Sequence, residues 1–170
     1  MSGNETAVTA MMPDLCDSER CFIGAIMYQN SFAATELATL VIGEDFEDPK
    51  ARVAVDLAAQ LAANGHDPDP QMVVAHAQRS GAVTGDNRVH LLADYLVSCY
   101  TGVPFPHNGI HYARSVLDTA LRRQVRDAGR RLIHAAEEAG RDELIEAVMR
   151  EFDGIRRVRD RLSDAEKRTE

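Results

Sequence analysis

Six histidines, three cysteines and 27 carboxylates are the groups in this 170-residue chain that could carry chemistry. His107 and His111 are four apart, a spacing that turns two imidazoles toward one metal on a helix. The pair straddles a helix start, however, has no glutamate base between its members and no third ligand nearby, so capping and packing are the predicted roles. Cys16 and Cys21 lie five apart with no second cysteine pair to complete a tetrahedral set, and Cys21 is expected to pack as a small hydrophobe. Glu44, Asp45, Glu47 and Asp48 lack the alternate spacing and terminal glutamate of a calcium loop. They read as an acidic linker feeding a helix N-terminus, where negative charge is favourable. The only lysines, Lys50 and Lys167, do not follow glycines, so no phosphate-cradling loop ending in Gly-Lys-Ser/Thr exists in these 170 residues. A dinucleotide fingerprint is missing too. The sequence therefore predicts no catalytic residue, no cofactor and no metal site.

Charge divides the chain in two. Residues 1–105 carry 5 basic and 14 acidic side chains, whereas residues 106–170 carry 14 and 13, within an overall net charge of −8. An excess of carboxylates repels a phosphate backbone, which disfavours non-specific nucleic-acid binding. The arginine pairs Arg122-Arg123 and Arg130-Arg131 and the run Arg156, Arg157, Arg159, Arg161 interleave with Asp118, Asp127, Glu137, Glu138, Asp153 and Asp160. That mixture points to a solvated, ion-paired face, with direct DNA binding weak or absent. The odd cysteine count, the lack of a signal-peptide pattern and the lack of any run of roughly 18 apolar residues predict a cytoplasmic protein away from membranes.

Helix punctuation is dense. After a predicted disordered lead at 1–13, Asp17 or Ser18 can cap a helix with Cys21, Phe22, Ala25 and Ile26 as its buried stripe. Ser31 can open a second, bearing Phe32, Leu37, Leu40 and Val41 as far as Gly43. Asp48-Pro49 and Asp69-Pro70 each start a helix, because the aspartate accepts from free N–H groups and proline is preset for the first turn. These end at Asn64-Gly65 and Gly81, and a further helix is predicted over about 91–100. Gly102, Pro104 and Pro106 then forbid helix and mark the boundary between a head, 14–105, and a hairpin, 106–164, with a flexible tail at 165–170. The two hairpin helices, about 108–139 and 142–162, are split only by Gly140-Arg141, which forces them antiparallel. The fold class is all-α: a compact head of about five helices and a long hairpin. A helix of about 45 Å outruns so small a core, so part of the hairpin must protrude and seek apolar partners. The candidate oligomer interface is Leu117, Leu121, Val125, Leu132, Ile145, Val148, Phe152 and Ile155, and the commonest solution for such a face is a two-fold contact between copies.

With these elements placed, the chain resembles the N-terminal domain of the DnaB family of hexameric replicative helicases. Asp14-Leu15, Ser18-Glu19-Arg20 and Ile23-Gly24-Ala25 are similar to the family's opening, where Ala-Glu-Gln precedes Leu-Gly on the first helix. Asp45-Phe46 matches the Asp-Phe pair before the helix that starts at proline, 49–65 fits that helix without a gap, and 69–81 fits the next. Tyr95-Leu96, Asn108, Tyr112-Ala113 and Leu121-Arg122-Arg123 resemble the entry into the family's hairpin. Arg20, Ala51 and Glu47 depart from the usual Gln, His and Tyr and mark a divergent member. The resemblance spans about 14–162 and implies structural roles for Glu19, Gly24, Asp45, Phe46, Asn108, Tyr112, Arg122 and Arg123. It also implies a non-catalytic interaction domain, with the chain ending where the family's linker and ATPase domain would begin. The implied partners are a second copy through the hairpin, as a dimer or a trimer of dimers in the helicase collar, and a replicative helicase, primase or loader. A free-standing helicase-binding adaptor or inhibitor and a helical DNA-binding regulator are the alternatives.

Overall fold

A computed structural model describes residues 17–168. The predicted lead at 1–13, Asp14-Leu15 and Cys16 lie outside the described residues, as do 169 and 170. Seven α-helices and two short 3-10 turns account for the described chain, and no strand occurs among the described residues.

Capping chemistry sets most of the helix starts. Helix α1 (Ser18–Met27) begins at Asp17, whose carboxylate accepts from the backbone N–H groups of Glu19 and Arg20. Asn30, rather than Ser31, caps α2 (Ser31–Ala38) by accepting from the Ala33 N–H at 2.9 Å. That helix ends at Ala38, short of Gly43, and leaves Leu40 and Val41 buried beyond its end. Helices α3 (Pro49–Ala63) and α4 (Pro70–Ser80) start from Asp48 and Asp69, each aspartate accepting from the N–H two residues on. Gly81, at φ 71°, ends α4 in a left-handed conformation that a side chain would resist. Helix α5 (Asp86–Gly102) starts five residues before the predicted 91, because Gly85 breaks the chain and the polar Asp86, Asn87 and Arg88 form its first turn without an apolar stripe to announce it. After the 3-10 turn Pro106–Asn108 come α6 (Gly109–Glu138) and α7 (Arg141–Lys167).

Helices α1 to α5 build the head around Phe22, Ile26, Phe46, Leu57, Leu61 and Leu96, all shielded from solvent. Phe22 and Phe46 meet at 5.8 Å between ring centroids, a tilted aromatic pair in the middle of this core. Helix α6 belongs to both halves of the molecule. Its first three turns bury Ala113, Val116, Leu117 and Ala120 in the head, and beyond Ala120 only Ala128 of this helix is fully covered. Its 30 residues extend for about 45 Å. Helix α7 returns antiparallel to it and runs to Lys167, past the predicted end at 162, because Val158 and Ala165 dock on the head core and keep those turns ordered. The segment from 165 to 167 is therefore helix and not tail.

Candidate interaction surface

The outer part of the hairpin is held together by groups that are small or polar. Glu151, on α7, is 5% exposed and takes both oxygens to Arg131 of α6, at 2.8 Å to Nε and 2.7 Å to Nη2. This paired contact fixes the register, with 131 opposite 151, and the hydrogen bonds from Arg131 hold the Glu151 carboxyl below its ordinary value. Ala128, Ala147 and Gly154 line the same seam. A Cβ on Gly154 would stand 2.7 Å from Nε2 of Gln124, so the helices approach closely there.

At its base the hairpin is tied to the head by a second polar cluster. Asp45, 2% exposed in the 3-10 turn Gly43–Asp45, accepts from Nη2 of Arg161 at 2.6 Å and from the Ile42 N–H at 2.8 Å. From α6, Arg123 donates to the carbonyl oxygens of Glu44 and Asp45, both at 2.9 Å. One acidic turn of the head thus engages both hairpin helices. Asp45 lay in the acidic run that the sequence reads as a linker, and nothing in that run announces Arg161 as a partner 116 residues away.

Because alanine, glycine and the ion pair occupy the seam, the large apolar side chains of the outer hairpin lie off it. Val125 and Ile133 on α6 are 48% and 65% exposed, and Ile145, Met149 and Phe152 on α7 are 54%, 60% and 59% exposed. At about 100° per residue, Val125, Leu132 and Ile133 turn away from the seam in the same rotational sense as Ile145, Met149 and Phe152. In an antiparallel pair that sense leads to one side. The opposite side at the tip is polar, a shallow hollow lined by His134, Glu138, Glu143, Glu146 and Arg150.

Of the eight residues predicted for the interface, Val125, Ile145 and Phe152 are exposed on the apolar side, and Leu132, Val148 and Ile155 are half-buried. Leu121 is half-buried against the head core, and Leu117 is wholly inside it. The sequence reading missed Ile133 and Met149, which sit one residue off the stripes it followed. The spacing 145, 149, 152 is itself a helical stripe and was the available signal.

The family-motif residues sit at structural joints. Glu19 accepts from the N–H groups of Glu47 and Asp48, linking α1 to the start of α3. Gly24 lets α1 approach α5: a Cβ there would stand 2.8 Å from Cβ of Val103 and closer still to the Cys99 carbonyl. Phe46 is core, Tyr112 packs half-buried on Cys21, Ala25 and Val103, and Asn108 occupies the cap position of α6 without a side-chain cap. Arg122 is exposed and bonds Asp118 at 2.8 Å.

A hollow of about 210 Å³ is lined by Asp17, Arg20, Cys21, Ser98, Cys99 and Gly102. Burial pushes the Cys99 thiol up to about 11, the opposite of what a nucleophile needs. His107 lies in the 3-10 turn and His111 in the first turn of α6. Among the described residues no three His, Cys, Asp or Glu side chains cluster so as to hold a metal.

Comparison with known proteins bears on the whole arrangement. The family model of the DnaB-like helicase N terminal domain matches residues 11–118. The chain belongs to that family. Membership places it in a domain family of replicative helicases, and the match spans the head and the first turns of α6. Among solved structures, the crystal structure of the N-terminal domain of DnaB helicase from Mycobacterium tuberculosis aligns with a TM-score of 0.68 at 23% identity, covering 81% of this chain and 94% of that one. The DnaB-type all-α fold therefore extends past the family match into the hairpin. No curated protein matches the chain.

Proposed function

We propose that this DnaB-like domain works in the cytoplasm as a non-catalytic assembly module in DNA replication, pairing with a second copy through the hairpin to build a helicase collar on which primase or a loader docks. The exposed apolar side of the outer hairpin carries the reading. Five large apolar side chains, Val125, Ile133, Ile145, Met149 and Phe152, are each about half exposed or more. A row of that size on one side of a projecting rod is the kind of patch that marks a protein interface. Membership in a helicase domain family favours another helicase protomer as the molecule that covers it.

Light scattering on the purified chain tests this. The expected result is a dimer, or a multiple of one, at tens of micromolar, and a monomer for Phe152→Asp with an unchanged helical spectrum. A wild-type monomer at high micromolar concentration would remove the proposal. A salt-dependent mobility shift of labelled DNA by the isolated chain would instead favour the DNA-binding alternative.

A further inference from the structure

Helix α1 runs antiparallel to α6, and its start points along the hairpin toward the tip. Just past its end, Gln29 donates to the Pro106 carbonyl at 3.3 Å. In its middle, Cys21 and Ala25 pack with Tyr112. At its start, Ser18 borders a hollow of about 610 Å³ shared with His111 and Asp118 of α6 and Leu162 and Glu166 of α7. At about 100° per residue these four hairpin residues turn from the seam in the same sense as Val125 and Phe152, so the hollow is the basal end of the apolar side. The chain preceding Asp17 is therefore attached at the foot of that side, where the axis of α1 points along it.

Residues 1–16 are matched to such a path. Ala10, Met11, Met12, Pro13 and Leu15 are apolar, and methionine adapts to an irregular surface. Proline at 13 biases Met12 toward an extended backbone. Met12 precedes Ser18 by six residues, a reach of about 20 Å when extended. On α6 that distance is about thirteen residues, from the level of 115–119 to that of 128–132. Phe152 lies opposite 130 in the register set by Arg131 and Glu151. Charge agrees with this path. Residues 1–16 hold Glu5 and Asp14 and no Lys or Arg, whereas the shaft of the hairpin, residues 114–131 and 150–161, holds eleven arginines against five carboxylates.

We propose that residues 10–16 lie extended along the hairpin of their own chain, Leu15 over Leu162 in the hollow and Met11 and Met12 on Val125 and Phe152, and that a second copy must displace them to pair. The docking stands by itself; only the displacement rests on the pairing proposed above. A cover present about two-thirds of the time weakens pairing about ninefold, since both copies must be bare at once.

Methyl spectra of the whole chain with carbon-13 in its methionines test the docking. In dilute solution the Met11 and Met12 signals are expected to show cross-relaxation to the Phe152 ring. Phe152→Ala is expected to return them to the positions of free methionine, with an unchanged helical spectrum because that ring is exposed. Signals that already sit at the free positions in the wild type and ignore Phe152→Ala would overturn the proposal. Contacts present only in concentrated solution would overturn it as well, in favour of residues 10–16 lying on the second copy. Sedimentation equilibrium then reads the displacement. The chain carrying Met11→Ser and Met12→Ser is expected to pair about ninefold more tightly than the wild type, and equal or weaker pairing would overturn the displacement. A chain that stays monomeric with and without these changes, yet keeps its methyl contacts, would sink the pairing and uphold the docking.

Discussion

The head and the outer hairpin use the same kind of apolar helix and bury it differently. In the head, Leu117 of α6 is fully enclosed by neighbouring helices. Further along the same helix, Ile133 is 65% exposed. Inside the head a helix has neighbours on several sides, so a wide apolar stripe can be covered within the chain. Further out, beyond Arg123 of α6, the two hairpin helices pack on each other. Their shared seam is taken by Ala128, Ala147, Gly154 and the Arg131–Glu151 pair, which brings the backbones close but leaves the bulkier side chains outside. The contrast teaches that helical periodicity specifies a face to be covered and leaves open what covers it.

Substitutions can break or sharpen that contrast. The largest effect is expected in the head, where Leu117→Ala should lower stability by about 2–5 kcal/mol by leaving a cavity, read from urea unfolding. Next comes the joint between the regions. Asp45→Ala leaves the guanidinium of Arg161, only 20% exposed, without its carboxylate. A loss of about 3 kcal/mol is expected, with faster amide exchange at the base of α7 than in α3. Gly24→Ala should cost about 1–3 kcal/mol, because the added methyl meets backbone of α5 that cannot swing away, and a melting curve checks it.

A smaller effect is pH-dependent and local to the outer hairpin. Glu151 has its carboxyl lowered in the fold relative to an ordinary value of 4.5, so its pair contributes fully above that value. The contribution is lost as pH falls through the lowered value, and the hairpin should loosen in acid. Amide exchange in α7 as a function of pH measures this, and Glu151→Gln should flatten the dependence. The smallest effect on folding is expected at Phe152, which is 59% exposed. Phe152→Ala should leave the stability of the dilute monomer within about 0.5 kcal/mol of wild type. A loss as large as that of Leu117→Ala would show that the ring is covered within a single chain, and the contrast between the two regions would fail.

Much of this architecture could be read from residue types. Asp48-Pro49 and Asp69-Pro70 are starts with a local cause, so α3 and α4 begin where expected. Gly102, Pro104 and Pro106 mark the break between α5, which ends at Gly102, and α6 for the same reason. The start of α5 was missed because its first turn is polar, and the end of α7 because Ala165 is held by packing that no local pattern encodes. Of the hairpin residues on stripes at 3–4 residue spacing, Val125, Ile145 and Phe152 are exposed in the structure. The stripes also swept in Leu117, since periodicity alone cannot separate a face turned to the head from one turned to solvent.

By itself, then, the order of residues determined seven helices, the aspartate caps of α1, α3 and α4, the antiparallel return at Gly140 and the absence of a phosphate-binding loop within these 170 residues, all properties set by neighbours a few positions apart. Only the tertiary structure decided that Asp45 reaches Arg161, that Glu151 locks to Arg131, and that one side of the hairpin stays apolar and open. These depend on where helices lie relative to one another. That placement is set by the sum of many weak packing contacts across the chain, and no single segment carries it.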